Sequence, residues 1–265
     1  MNGSVRADLS RDGAVATIRF SGGPGGCMDD AMEAALLDAV KAVEEDGALR
    51  ACILAGAGPG VFIRHYDVAT LHARAAVMRA RGMAFSEARP VKESPIHEAM
   101  RRMEEGRVVW LAALNGTAMG GGFELALACD LRIVSPGPHR FGLPEINLGL
   151  LPGAGGTIRL PRLAGEAKAL EMTLLGRTLS PEELAAAGLA ILAGDAEAEA
   201  RILARRLAGK PPRALAHIKR LVRGLPEDRP GAERALFCDL MVSDDAFRLM
   251  GEWAEGRRGI EDEPA

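Results

Sequence analysis

The chain has 265 residues, of which 36 are acidic and 33 are basic. This length is enough for one substantial hydrophobic core, whereas two independent domains would each be small, so we expect one main domain with an appendage. The near balance of charge gives no electrostatic basis for binding nucleic acid or an anionic membrane surface. A small molecule is therefore the expected partner.

The cysteines and the N-terminal residues indicate a cellular compartment. Four cysteines are scattered along the chain without a CxxC pair or a histidine cluster at ligand spacing, so the sequence predicts neither a disulfide framework nor a metal site. Residues 1–11 lack the apolar region of a signal peptide, and no segment approaches the roughly 18 apolar residues of a membrane-spanning helix. We therefore expect a cytoplasmic protein that does not bind membranes.

The first part of the chain alternates between strand and helix patterns. Residues 14–20 alternate well enough for a strand, which ends at the glycine-rich segment 21–26. Asp29 and Asp30 can cap a helix over residues 31–45, where apolar side chains recur at helical spacing. Residues 51–56 form a continuous apolar run, as in a buried strand. This order of elements predicts an α/β fold.

The middle of the chain has a weaker pattern than its flanks. Residues 71–106 are rich in alanine, arginine and methionine and are interrupted by Pro90 and Pro95. This composition fits a solvated helix pair, or helices that shape a pocket for an acidic substrate group. Residues 108–114 and 131–135 are predicted strands, and from Ser180 onward the pattern is mostly helical.

Two glutamates in glycine-rich, apolar segments are the candidate catalytic residues. Glu124 follows the glycines at 120–122 in the first turn of a predicted helix, and Glu145 lies in a short apolar loop before the segment PGAGGT at 152–157. The structural alternative is a capping or salt-bridged acid, because acids favour first helical turns. Apolar surroundings without a partner charge are expected to raise a carboxyl pKa, which suits proton transfer.

Residues 115–189 closely resemble the enoyl-CoA hydratase/isomerase (crotonase) superfamily. The pattern GGGxExAxxCD, then PExxxG and PGxGGTxRL, occurs here as GGGFELALACD, PEINLG and PGAGGTIRL. The resemblance continues more weakly over residues 16–20, 51–67 and 212–258. It implies an α/β fold built as a crotonase-like spiral of ββα units. Residues 1–195 would form the core with the acyl-CoA site, and residues 196–265 a helical region that packs a homotrimer or a dimer of trimers.

Hydration of an α,β-unsaturated thioester needs a base for water, an acid for the α-carbon and donors for the enolate oxygen. It needs no metal and no separate cofactor, because CoA is part of the substrate. The resemblance implies that Glu145 protonates the α-carbon and Glu124 activates water, although the sequence leaves open which glutamate carries which proton. The amide of Gly121, at a helix N-terminus, is the first predicted oxyanion donor, and Gly120 and Gly153 are expected to border the substrate.

By resemblance, the second oxyanion donor comes from a loop where the family has FxAGAD and this chain has FIRHYD at residues 62–67. The donor position falls on the amide of Tyr66, which any residue except proline could supply. Arg64 is a candidate for binding a CoA phosphate or a substrate carboxylate, or else faces water. His65 is a candidate acid, base or hydrogen-bond donor near the thioester, or a structural group.

The expected CoA-binding pattern is altered in two places. Residues 21–28 are glycine-rich and uncharged where the family has a basic residue and an NAL-type segment. Near the end of the chain, EGRR at 255–258 replaces EKR, so Arg257 or Arg258 is a candidate for a CoA phosphate, with a solvated tail as the alternative.

Three classes of function remain compatible with the sequence. An enoyl-CoA hydratase is favoured because double-bond isomerases of the superfamily commonly keep only the later acid. Another crotonase-type reaction, by an enoyl-CoA isomerase or a hydrolase or lyase of a CoA thioester or diketone, is supported by His65, Tyr66 and the altered 21–28 segment. A non-catalytic binding protein, for example for RNA, is disfavoured by the charge balance. The fold alone does not choose among them.

Overall fold

A computed structural model describes residues 6–21, 23–89, 91–224 and 229–257. Within these ranges the strands are β1 (Arg6–Asp12), β2 (Val15–Ser21), β3 (Ala51–Gly56), β4 (Gly60–Ile63), β5 (Val109–Leu114), β6 (Gly116–Met119), β7 (Leu131–Val134), β8 (Phe141–Gly142), β9 (Thr178–Leu179) and β10 (Ile191–Leu192). The helices are α1 (Asp30–Glu45), α2 (Val68–Ala80), α3 (Pro95–Glu105), α4 (Gly121–Ala128), α5 (Gly156–Ala164), α6 (Glu166–Leu174), α7 (Pro181–Ala186), α8 (Ala196–Ala208), α9 (Pro212–Val222), α10 (Arg229–Met241) and α11 (Asp244–Ala254). Short 3₁₀ turns cover Pro24–Gly26 and Glu145–Leu148.

The larger sheet has six strands in the order β1-β2-β3-β5-β7-β10. β1 and β2 are antiparallel, and all later pairs are parallel, with Ile53 of β3 opposite Leu111 of β5. Both β3 and β5 are buried along their whole length, since the sheet is covered on both faces. This is the environment that the continuous apolar run at 51–56 predicts.

Different helices cover the two faces of this sheet. On one face, Cys52 and Leu54 belong to a core cluster that includes side chains of α1, α3 and α4. On the other face, Ile53 and Ala55 pack with α8, which contributes the small side chains Ala196, Ala200 and Ala204. These alanines recur every fourth residue and so lie on one side of α8, where they allow a close approach to the sheet. The division of the chain at residue 195 stays a prediction.

The smaller sheet has the order β4-β6-β8-β9. The strand pairs β3–β4, β5–β6 and β7–β8 are each consecutive in the chain, and each pair contributes one strand to the larger sheet and one to the smaller. Helices follow each pair: α2 and α3, then α4, then α5 and α6. The predicted spiral of ββα units in an α/β fold is therefore confirmed.

The predicted elements are found close to their expected bounds. The helix expected over 31–45 begins at Asp30, and the Asp29 side chain caps it by accepting from the Met32 amide at 2.9 Å. In the middle segment, α2 buries no side chain, whereas α3 buries Ile96 and Met100 in the core. The solvated-pair interpretation therefore fails for α3, whereas α2 is largely exposed to solvent.

The last helices and the turn between α10 and α11 expose large apolar side chains: Ile218, Val222, Phe237, Val242 and Phe247. The oligomeric packing of this region stays a prediction. Arg257 pairs with Glu255, and Arg258 lies outside the described residues. In the part of the chain that is described, no helix has the length and hydrophobicity to cross a bilayer.

Candidate active site

The glycines at the start of α4 allow three segments to meet. Gly120 has a φ of +49°, in the left-handed region that favours glycine, and a Cβ on it would lie 3.1 Å from Glu145 Oε1. A Cβ on Gly122 would overlap the carbonyl oxygen of Ile63 at the end of β4. The glycine run therefore lets the first turn of α4 pack directly against β4 and against Glu145.

Glu124 projects from this first turn into the core and is only 2% exposed. Its Oε1 accepts hydrogen bonds from the amides of Ala154 and Gly156, each at 2.7 Å. Burial raises the pKa of Glu124, and the two amide hydrogen bonds and the charge of Arg159 oppose that rise. The carboxylate is thus desolvated but held by two donors that favour its ionised form.

Glu145 begins the short 3₁₀ turn after β8. Its Oε2 is buried and has no hydrogen-bond partner among the described residues. Burial raises the pKa of Glu145 to about 7, and the Glu124 carboxylate contributes to that rise. A carboxyl group with a pKa close to neutrality can hold a proton at neutral pH and donate it.

The loop at residues 62–67 is fixed by backbone hydrogen bonds to Met28. The Met28 amide donates to His65 O at 2.9 Å, and the Asp67 amide donates to Met28 O at 2.7 Å. His65 Nδ1 lies 2.7 Å from Tyr66 O, so this nitrogen carries the proton and donates. Both neighbours of Tyr66 are thereby held in place, which orients its peptide group.

The side chains of His65 and Tyr66 are engaged in local contacts. The sulfur of Cys27 lies 3.7 Å from His65 Nδ1. The Tyr66 hydroxyl donates to Asp30 Oδ1 at 2.5 Å, and the Arg74 guanidinium lies 5.8 Å from the centre of the Tyr66 ring. Burial and this bond to Asp30 raise the pKa of Tyr66. These contacts fit a structural role for both side chains.

A cavity of about 340 Å³ brings most of the predicted site residues together. Five of them line it: His65, Tyr66, Gly120, Gly121 and Glu145. The remaining lining is mostly apolar and includes Val68, Leu71, Leu148 and Leu150. Among the described residues, the amides of Tyr66 and Gly121 have no hydrogen-bond acceptor, so both are available to a ligand.

Three of the predicted site residues do not line this cavity. Glu124, which is buried, and Arg64 are both absent from its lining. Gly153 lines a second cavity of about 380 Å³, together with His97, Arg101, Arg159 and Arg162. We call this the outer cavity, because the loop at residues 153–156 separates it from Glu124. The contribution of that loop to Glu124 comes from the next amides, on Ala154 and Gly156.

A third cavity adjoins the glycine-rich segment that follows β2. It has a volume of about 360 Å³, and the described residues that line it carry no charge: Phe20, Ser21, Gly26, Ala57, Gly58, Pro59, Val61 and Phe62. Ser21 and Gly26 are the described residues of the 21–28 segment in this lining, so the segment contributes no charge there.

Comparisons with known proteins extend the likeness beyond the motifs. The pattern of a family described as enoyl-CoA hydratase/isomerase matches residues 10–243. A relative named "Probable enoyl-CoA hydratase" from Bacillus subtilis is 32% identical over 222 residues, covering 81% of this chain and 80% of the relative. The solved structure of Pseudomonas aeruginosa DspI is 30% identical with a TM-score of 0.81, covering 99% of this chain and 96% of that one. An enoyl-CoA hydratase from Bacillus anthracis is 26% identical with a TM-score of 0.82, covering 96% and 97%.

Proposed function

This chain belongs to the enoyl-CoA hydratase/isomerase family, and we propose that it adds water across the double bond of a 2-enoyl-CoA thioester. The observation that carries the proposal is the unequal environment of two neighbouring carboxyl groups. Glu124 receives two amide hydrogen bonds on one oxygen, whereas Glu145 has a buried oxygen without a partner among the described residues. The first is suited to be the ionised base and the second the protonated acid.

In the proposed reaction, Glu124 takes a proton from a water molecule as the water oxygen bonds to the β-carbon. The electron pair of the double bond moves toward the thioester carbonyl, and the enolate oxygen gains negative charge. Glu145 then gives its proton to the α-carbon, and the carbonyl re-forms. The substrate gains one water, and a proton transfer from Glu124 to Glu145 restores the starting state.

The free amides of Tyr66 and Gly121 are the proposed donors to the enolate oxygen. Both belong to residues that line the cavity next to Glu145, and the Gly121 amide is at the N-terminus of α4, where the helix dipole favours negative charge. Backbone donors that are already oriented stabilise developing charge without reorganisation during the reaction. The bonds from Met28 hold the Tyr66 peptide in such an orientation.

The cavity lining favours an apolar acyl chain. The described residues that line the cavity include no lysine or arginine. The cavity therefore has no such cation to bind an acidic acyl group, which the basic composition of residues 71–106 had left open. Because CoA is part of the substrate, the proposed reaction uses no separate cofactor. The location expected for this enzyme remains the cytoplasm.

A hydrolase or lyase that uses His65 and Tyr66 is less well supported. His65 Nδ1 donates to the Tyr66 carbonyl, and the Tyr66 hydroxyl donates to Asp30. Both side chains therefore donate their protons to neighbouring groups. The carboxyl groups of the two glutamates are better suited to proton transfer.

We also propose a homotrimer or a dimer of trimers. The exposed apolar side chains of α9, α10 and α11 support this, because a second copy of the chain could bury them. Size-exclusion chromatography with light scattering measures the mass directly, and a monomer at micromolar concentration would contradict this part of the proposal.

The hydratase proposal is tested by following the ultraviolet absorbance of the conjugated thioester for 2-enoyl-CoA substrates of several chain lengths. We expect Glu124→Gln and Glu145→Gln each to lower kcat by about 10²- to 10⁴-fold, since each removes one proton-transfer group. Glu87→Gln, on an exposed turn before α3, is the matched control and should retain full activity.

Unchanged turnover in either active-site variant would contradict the assigned roles. If the wild-type protein folds but hydrates no member of the panel, the hydratase proposal is wrong, and isomerisation of 3-enoyl-CoA substrates becomes the next assay.

A further inference from the structure

The loop at residues 153–156 is held from both sides. On one side, its amides on Ala154 and Gly156 donate to Glu124 Oε1. Toward the outer cavity, the carbonyl oxygen of Gly153 lies 2.9 Å from His97 Nε2, and that of Ala154 lies 2.6 Å from Arg159 Nη1. Two side chains of the outer cavity thus bind the loop that binds Glu124.

One peptide group connects His97 to Glu124. The bond between Gly153 and Ala154 is trans, so its C=O and N–H point in opposite directions in one plane. When the carbonyl accepts from His97, the N–H on the other side is aimed at Glu124 Oε1, 2.7 Å away. A rotation of this peptide group would break both hydrogen bonds together.

The tautomer of His97 follows from its two partners. A carbonyl oxygen only accepts, so Nε2 carries the hydrogen that binds Gly153 O. Nδ1 is then the acceptor for the hydroxyl of Ser94, 2.8 Å away at the N-terminus of α3. Ser94 therefore fixes both the tautomer and the ring orientation that the loop requires.

Arg159 holds the next peptide group with a side chain that is itself fixed. Its Nε and Nη2 donate to the two carboxylate oxygens of Glu104 at 2.9 and 2.7 Å, while Nη1 is left for Ala154 O. The side chains of Arg159 and Glu104 are only 13% and 19% exposed. Glu104 also accepts from Arg223, the residue that follows α9, at 3.0 Å. A bidentate pair of this kind fixes the plane of the guanidinium group.

We propose that His97 and Arg159 are positioning residues of the hydratase site, which hold two successive peptide groups so that Glu124 keeps both amide donors. The kinetic effects that we expect depend on the proposed hydratase function. The structural claim, that these two residues keep the amide donors on Glu124, does not depend on it.

Several charged or titratable groups act on Glu124 and set the expected pH dependence. They are Glu145 from the turn after β8, His97 from α3 and Arg159 from α5, with Glu104 of α3 paired to Arg159. The amide hydrogen bonds and the charge of Arg159 favour the ionised carboxylate, so their loss raises the pKa of Glu124. Because the proposed base must be ionised, the acidic limb of kcat/KM would then move to higher pH.

His97→Leu removes the donor to Gly153, and His97→Gln offers a side-chain N–H in its place. We expect the leucine variant to lower kcat by about 10- to 100-fold with little change in KM, because a misplaced reacting group slows the chemical step. The glutamine variant should recover most of this loss. His72→Leu, at an exposed position in α2, is the matched control and should keep kcat within about twofold.

Arg159→Met removes the donor to Ala154, whereas Arg159→Lys keeps the charge and loses the bidentate geometry. We expect methionine to lower kcat by about 10-fold or more and lysine to lower it less. Arg162→Met changes another arginine of α5, one that is exposed and lines the outer cavity, and should keep kcat within about twofold.

A measurement independent of turnover completes the test. Carbon-13 NMR of carboxyl-labelled glutamate, with the Glu124 signal assigned from Glu124→Gln, gives the pKa of Glu124 in each folded variant. A higher pKa in His97→Leu and Arg159→Met, restored toward wild type in His97→Gln, supports the proposal even if the wild type hydrates no enoyl-CoA. An unchanged pKa, or a loss of kcat that only follows the loss of folded protein, would overturn it.

Discussion

Glu124 and Glu145 are the same residue type in one site, yet their surroundings prepare them for opposite roles. Burial raises the pKa of both. Glu124 extends from a regular helix and receives two amide hydrogen bonds, whereas Glu145 starts a short 3₁₀ turn and has a buried oxygen without a partner in the described structure. The difference arises from the backbone of a third segment, the loop at residues 153–156, and not from the acids themselves.

Substitution of a single glycine next to the two acids should change the difference between the environments of Glu124 and Glu145 most strongly. A Cβ on Gly156 would lie 2.8 Å from Leu143, 2.9 Å from Pro152 and 3.0 Å from Glu124 Oε1. Gly156→Ala should therefore displace the amide from Glu124 and lower hydration activity by about 10- to 100-fold. The overpacking should also reduce the free energy of unfolding by about 1 to 3 kcal/mol. Steady-state kinetics and urea unfolding measure the two effects.

Gly121→Ala is the matched comparison for Gly156→Ala. A Cβ at this position meets no atom within 4 Å, and alanine keeps the amide that we propose as an oxyanion donor. We expect a free energy of unfolding close to wild type, because the added Cβ overlaps no described atom. If both glycine variants lost stability equally, close approach of the backbone to Glu124 would not be the decisive feature.

The sequence predicts the fold better than it predicts the site. The apolar run at 51–56 and the cap at Asp29 depend on local patterns, and both elements form where expected. By contrast, the amides that hold Glu124 are on Ala154 and Gly156, and His97 reaches the same loop across 56 residues of sequence. Local periodicity carries no information on which distant backbone group meets which side chain.

The sequence motif nevertheless contained one residue of the arrangement that holds Glu124. Arg159 is the arginine of the segment PGAGGTIRL, and its contact with the Ala154 carbonyl gives that position a physical role. His97 had no comparable signal, because it lies in the middle segment that the sequence left ambiguous. The burial of α3 in the core is what brings His97 to the loop.

The pH dependence of turnover should distinguish the roles of Glu124 and Glu145. If Glu145 must be protonated to donate to the α-carbon, kcat/KM should fall as pH rises through about 7, by about tenfold per pH unit above it. The ionised form of Glu124 sets the opposite, acidic limb. A pH–rate profile in several buffers measures both limbs, and activity that stays constant from pH 6 to about pH 9 would exclude the assigned role of Glu145.

Because its pKa is raised, Glu145 should lower the free energy of unfolding at high pH. Burial raises the pKa of this acid from 4.5 to about 7, so the folded protein binds the proton more tightly than the unfolded chain. Stability is therefore lost as pH rises from the unfolded value through the folded one. Glu145→Gln removes that loss and should stabilise the fold by about 1 to 2 kcal/mol at pH 8, a figure reduced from the full pKa shift to allow for solvent screening.

The stabilising effect of Glu145→Gln should be small at pH 5, where the folded wild type already carries the proton. Urea unfolding at the two pH values measures the difference, with Glu87→Gln on its exposed turn as the control. A stabilisation that is equal at both pH values would mean that the charge of Glu145 is not the cause. A variant that is inactive and yet more stable at high pH would show that this carboxyl group is kept for chemistry at the expense of the fold.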